Sequence, residues 1–281
     1  MHNSKSGVMQ HVISLHAGTP VRRDLPEPLE SVMPGVIWGR FDEVMTPAFW
    51  ATQAWMQELA GGEAFGLGNN LAEEVAACLL GGHGAPAEVG LAAYRRVRAE
   101  MRRGARPHAN AIEDMLTMPL EVGGRSVRYR FARQRARQLG ECLTRLADID
   151  ELALNDVGLR DALMRLPGIG HKTASWVVRN RRASDAVAIL DVHIVRACVH
   201  MGIFREGANP ARDYRGLESR FIAFCHAAGI RPSLLDALMW RTMRSIGSNL
   251  TGLRPASNPS STRERSREDT ACPGAVRAET I

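Results

Sequence analysis

Lysine is nearly missing from this 281-residue chain: 34 of its 36 basic residues are arginine, and only Lys5 and Lys172 break the pattern. Where a fixed positive charge suffices, arginine serves throughout. A lysine kept deep in such a chain is either a chance survivor or a sign of chemistry that a guanidinium cannot do, because a buried amine can lose its proton and attack. Long apolar runs are absent too. No stretch reaches the roughly 18 residues of a membrane span, and the first twenty residues lack the apolar core of a signal peptide. A cytoplasmic protein without a membrane partner is expected. The five cysteines (Cys78, Cys142, Cys198, Cys225, Cys272) are widely spaced and form no CxxC pair, which excludes a disulfide framework. His83, His108, His171, His193, His200 and His226 fall into no HExxH or CxxC grouping, so metal catalysis is not expected.

What is present is enough to fold. Hydrophobic residues make up 45% of the chain, which supports a sizeable core in one domain or two packed subdomains. The formal net charge is +6 and unevenly placed. Between Arg95 and Arg137 twelve arginines face four acidic residues, a local charge of +8 that exceeds the whole chain's. Such a stretch suits either a polyanion, nucleic acid being the commonest, or a solvated face. Residues 1–30, with Gly18, Pro20, Pro26 and Pro28, read as a loosely held arm, and 250–281, rich in Ser, Arg and acidic groups, as a disordered tail. The folded part is expected over 31–249.

The folded part reads as an all-α protein. Helices are predicted from Pro47 to Gly61, over 71–82 and 87–104, within Val127–Leu146, from a cap at Asn155 to Leu166, from His171, near 192–202 and 213–228, and over 232–246. Arg130, Arg133 and Arg137 share one face of the Val127–Leu146 helix, a candidate basic face for DNA. Short β segments fit only near Val36–Trp38 and Leu120–Val127.

The chemistry concentrates in residues 163–180, LMRLPGIGHKTASWVVRN. A helix runs into Leu166-Pro167-Gly168-Ile169-Gly170, and a second begins at about His171. Two glycines around one apolar residue allow a tight turn, and they leave bare backbone N–H groups at a helix N-terminus, where a phosphate can bind. Ile169 would tuck inward. This is either an ordinary turn between helices or a helix–hairpin–helix element that holds a DNA backbone without reading sequence. Lys172 sits in the first turn of the second helix, where the dipole disfavours a cation. It could attack a sugar C1′ as an amine, or simply contact phosphate. Asp191 follows in AILDVHI at the start of the next helix. It is a natural N-cap, and the same carboxylate could stabilise charge developing on a sugar or deprotonate the attacking amine. His193 could orient that aspartate or bind a phosphate.

LPGIGHKTASWVVRN followed by AILDVHIVRA resembles the helix–hairpin–helix (HhH-GPD) superfamily of base-excision DNA glycosylases, and above all the 8-oxoguanine DNA glycosylase/AP lyases. VRYRFARQRARQL (127–139), CLLGGHGAPAEVG (78–90) and LLDALMW (234–240) add weaker echoes of the family's basic helix, its wedge region and its C-terminal helix. The resemblance implies two helical subdomains flanking a DNA-binding cleft: a barrel over about 76–205 and a second subdomain from about 31–75 plus 206–249. It implies Lys172 and Asp191 as the catalytic pair, and Gly168, Gly170, Lys172 and His193 as DNA-phosphate ligands, with a monovalent cation bridging at the hairpin. It makes His83, Trp176, Asp236 and Trp240 candidates for the wedge or the base pocket, though Trp at helical spacing also suits a core. The partner implied is double-stranded DNA carrying a damaged base, with the protein as a monomer. Cys198, Cys225 and Cys272 are too far apart for the iron–sulfur cluster of some relatives, so no cluster is expected. The activity implied is excision of an oxidised purine followed by strand cleavage. A glycosylase for another modified base, or a non-catalytic DNA-binding module, remains open at this point.

Overall fold

Residues 10–25, expected as part of a loosely held arm, are a β-hairpin whose inner face is built into a core. The computed structural model describes residues 8–62, 65–82, 84–104 and 106–246. Strands β1 (Gln10–His16) and β2 (Thr19–Leu25) pair antiparallel from Gln10 opposite Leu25 to His16 opposite Thr19. Val12 and Leu25 are buried. Gln10 ties the hairpin down: its amide donates to the carbonyls of Pro26 (2.7 Å) and Gly39 (2.9 Å) and accepts from the Phe41 N–H (2.9 Å). A short pair follows, β3 (Ser31–Met33) with β4 (Val36–Ile37).

The rest is helical. The first three helices are α1 (Pro47–Leu59), α2 (Leu71–Gly81) and α3 (Ala87–Met101). After α4 (Ala109–Thr117) comes a third hairpin, β5 (Leu120–Val122) with β6 (Arg125–Val127). Then follow α5 (Ala132–Arg145), α6 (Asp156–Leu163), α7 (His171–Arg182), α8 (Val192–His200), α9 (Tyr214–Ala227) and α10 (Pro232–Ile246). Side-chain caps explain where most of them start. Thr46 Oγ1 accepts from Phe49 N at 3.1 Å, Asn70 Oδ1 from Glu73 N at 2.9 Å and Asn155 Oδ1 from Gly158 N at 2.7 Å. α5 begins at Ala132, five residues inside the expected Val127–Leu146 helix, because residues 125–127 are drawn into the β5–β6 pair; Arg130 therefore precedes the helix and does not share its face with Arg133 and Arg137. Among the described residues no single helix is long and apolar enough to cross a membrane.

The core divides in two. One cluster gathers the first hairpin, α1 (Trp50) and α8–α10 (Ile194, Phe221, Phe224, Leu235). The other gathers α2 to α7 (Leu79, Leu139, Leu163, Val177) and ends at Val187. The chain thus starts in one lobe, builds the second, and returns to the first. The return comes earlier than the barrel limit near 205, since Ile194, Ala197 and Cys198 of α8 pack in the first lobe. The expected tail at 250–281 lies outside the described residues.

Candidate active site

The hairpin between α6 and α7 is shaped by its glycines. Gly168 has φ +76°, a left-handed conformation, and a Cβ there would stand 2.4 Å from Cδ of Gln138 on α5. The positive φ favours glycine whatever the space, and the Gln138 amide would have to move to admit a Cβ. Ile169 is buried in the second lobe and fixes the turn against it. Gly170 is the N-cap of α7, with no side chain to cap the helix and open space where a Cβ would point. The first N–H groups of α7 therefore face outward unobstructed, the arrangement that binds phosphate. The hairpin also offers carbonyl oxygens, the hard donors a monovalent cation takes. Those of Leu166, Pro167 and Gly170 already accept from Ile169 N, the Cys142 thiol and Ala174 N, so a cation would use their remaining lone pairs.

In the first turn of α7, Lys172 lines a cavity of about 670 Å³ at the seam between the lobes. The walls come from the α2–α3 connection, from α7, from residues 189–194 and from α10. Asp191 is another wall residue. It is the N-cap of α8, and its Oδ1 accepts from both His193 N (2.8 Å) and Ile194 N (3.0 Å). The residue is 8% exposed and lines the same cavity, so an N-cap and a cleft-facing position coincide.

Trp176, His193, Asp236 and Trp240 line this cavity as well. Trp176 packs over the end of α2, where a methyl on Gly81 would come 3.2 Å from its ring. Asp236 is buried in α10, and its Oδ2 accepts from Ile189 N at 3.2 Å. Burial pushes its carboxyl up to about 7, against the pull of Arg179 and with a further push from Asp191. The Arg179 Nε to Asp236 Oδ1 separation is 3.5 Å, yet neither atom makes a hydrogen bond. The pair is a Coulombic contact only, and both atoms keep unused hydrogen-bonding capacity.

Three wall residues escaped the sequence reading. Arg179 stacks over the Phe65 ring, 4.5 Å from its centroid. Asn180 donates to the buried Glu74 at 2.6 Å, while its Oδ1 has no partner among the described residues. The Arg-Asn pair closing KTASWVVRN was the available signal for two of them; nothing marked Phe65. Of the basic face, Arg133 pairs with Glu113 (3.1 Å), Arg130 lies over the Phe131 ring, and Arg137 is exposed. His83, the wedge candidate, lies outside the described residues. Among the described residues no group of three His, Cys, Asp or Glu side chains is placed to hold a metal ion, and Cys78, Cys142, Cys198 and Cys225 are free and buried.

Among curated proteins, none matches the chain. Among solved structures, the 8-oxoguanine glycosylase/lyase of Methanocaldococcus jannaschii, in complex with 15-mer DNA containing 8-oxoguanine, is similar at 26% identity and a TM-score of 0.50, covering 62% of this chain and 81% of that one. The 8-oxoguanine DNA glycosylase of Thermotoga maritima shares 27% identity with a TM-score of 0.48, over 61% and 78% of the two chains. Residues 67–230, which include the hairpin, Lys172 and Asp191, match the helix–hairpin–helix 8-oxoguanine DNA glycosylase family model, and the chain belongs to that family.

Proposed function

We propose that the protein is a bifunctional base-excision enzyme, a DNA glycosylase and AP lyase that removes an oxidised purine, 8-oxoguanine foremost, from double-stranded DNA. The observation that carries this is the opening of Lys172 and Asp191 onto one cavity beside a phosphate-binding helix N-terminus. A non-catalytic hairpin module needs neither residue. The cavity suits a flipped purine, since small-molecule sites run from roughly 300 to 1,000 Å³.

In this reading the strand is held at the α7 N-terminus and the damaged nucleotide is turned into the cleft. The Lys172 amine attacks C1′, the N-glycosidic bond breaks, and its electron pair leaves with the base. Asp191 stabilises the positive charge developing on the sugar and accepts the amine proton. The cyclic aminal so formed opens at its C1′–O4′ bond to an imine, with O4′ taking a proton; a C2′ proton is then lost, and the 3′ phosphate departs by β-elimination. Trp176 and Trp240 supply flat apolar surface for the base. Asp236 and Arg179 offer an acceptor and a donor whose capacity is unspent in the protein itself.

Borohydride trapping tests the reading. Wild type and K172Q are incubated with duplexes carrying 8-oxoguanine, an abasic site or undamaged guanine. A covalent adduct is expected with wild type only, on the first two duplexes. An adduct on the abasic duplex alone keeps the lysine chemistry and overturns the base assignment. Strand cleavage by K172Q overturns the lysine assignment.

A further inference from the structure

Residues 187–190 lead into Asp191 and are buried, yet they belong to no sheet. Their backbone N–H groups must find partners elsewhere or stay unsatisfied at a cost. Side chains from two helices supply them. Ala188 N donates to Glu218 Oε1 (2.9 Å), Ile189 N to Asp236 Oδ2 (3.2 Å) and Leu190 N to the Tyr214 hydroxyl (3.1 Å). The same hydroxyl donates back to Ala188 O at 2.8 Å. Three successive amides are thus gripped just before the catalytic carboxylate.

Two of the gripping residues, Glu218 and Tyr214 on α9, also hold α7. Glu218 Oε1 accepts from Ser175 Oγ at 3.3 Å, three residues beyond Lys172, and Glu218 Oε2 pairs with Arg160 of α6. The Tyr214 ring stacks on His171, the first residue of α7, at 5.0 Å and 21°. Both side chains are buried, 5% and 6% exposed, and neither lines the cavity. A buried ion pair is a weak source of stability, because desolvation offsets most of its attraction. Glu218 contributes more as a bracket than as a charge: it joins the hairpin's first helix, the lysine's helix and the aspartate's lead-in.

We propose that Glu218 and Tyr214 are positioning residues that set Asp191 against Lys172. This rests on the catalytic reading of those two residues. In that reading a misplacement of about 1 Å costs on the order of 100-fold in rate. Removing either bracket should slow excision without touching substrate contacts.

The variants are E218A, E218Q and Y214F in the full chain. Glutamine keeps an acceptor for Ala188 N but loses the charge facing Arg160, which separates positioning from ion pairing. Single-turnover excision is measured with enzyme in excess and DNA saturated, beside affinity for an abasic-analogue duplex. Folded E218A and Y214F are expected to bind that duplex like wild type and to excise roughly 10- to 100-fold more slowly, with E218Q within about threefold of wild type. Amide exchange gives a readout independent of activity. The His193 and Ile194 N–H groups, which bond to Asp191, should exchange at least about tenfold faster in Y214F, while Val177 and Val178 within α7 stay protected. Wild-type rates in folded Y214F, unchanged exchange at His193 and Ile194, or a folded E218Q as slow as E218A would each overturn the proposal. If E218Q or E218A does not fold, Y214F decides. If wild type itself excises nothing, the functional reading fails, and the exchange data still decide whether the bracket positions Asp191.

Discussion

Replacing Asp191 separates its structural role from its chemical one, because the two roles depend on different properties of the side chain. Its Oδ1 takes both capping bonds, from His193 N and Ile194 N. The amide oxygen of asparagine can accept the same pair, and asparagine ranks with aspartate as an N-cap. D191N therefore loses only the charge–dipole attraction, about 0.3–1 kcal/mol. D191A loses the cap itself, about 0.5–2 kcal/mol. At roughly 2–4 °C per kcal/mol for a domain of this size, the Tm of D191N should fall by a few degrees at most and that of D191A by more. Chemistry orders the variants differently. Both remove the charge that faces the developing cation, and loss of one such electrostatic partner typically costs about 10²–10³ in rate. Single-turnover excision on an 8-oxoguanine duplex, read beside thermal unfolding by circular dichroism, should show D191N stable and slow, and D191A less stable and equally slow. A folded D191N that excises at the wild-type rate would refute the catalytic assignment and leave Asp191 as a cap alone.

The two hairpin glycines should fail in opposite ways. G168A forces a left-handed alanine against Gln138 and should destabilise the fold by roughly 1–3 kcal/mol, measured by urea unfolding. G170A meets open space at an ordinary φ, so it should fold normally yet weaken DNA binding, because its methyl stands beside the phosphate-binding N–H groups. Asp236 carries a pH signature. Its pKa of about 7 in the folded protein lies above the unfolded value of 3.8, so the folded state binds the proton more tightly. Its contribution is fully present below about pH 4 and is lost as pH rises through about 7. Urea midpoints between pH 5 and 8 should show that decline in wild type and lose it in D236N, whose amide oxygen still accepts from Ile189 N; an unchanged profile in D236N would place the titration elsewhere.

Local signals carried most of the sequence reading. The hairpin, Lys172 and Asp191 lie in two short segments whose glycines, caps and spacing act at close range. Other elements gave weak local signals. α4 is capped by His108, whose Nδ1 accepts from Ala111 N at 3.2 Å, and histidine is not a usual N-cap. The first hairpin turns through Ala17 and Gly18, at φ +49° and +80°, where asparagine or aspartate before the glycine would have announced a tight turn. Its Ile13 and Leu15 face solvent, which blurs the alternation of buried and exposed residues. The cavity walls were legible only as separate candidates. Asp236 meets Arg179 through a tertiary contact that no periodicity encodes.

The division of the core places the catalytic pair on two foundations. Lys172 rides on α7, rooted in the second lobe through Ala174, Val177 and Val178, whereas Asp191 sits between Leu190 and Ile194, rooted in the first. The amine and the carboxylate line one cavity only while the lobes are docked. Each lobe can keep its helices and its packing while the seam opens by an ångström or two, and that slip alone would disarm the site. Heat should therefore silence excision at temperatures where the helical signal is still intact.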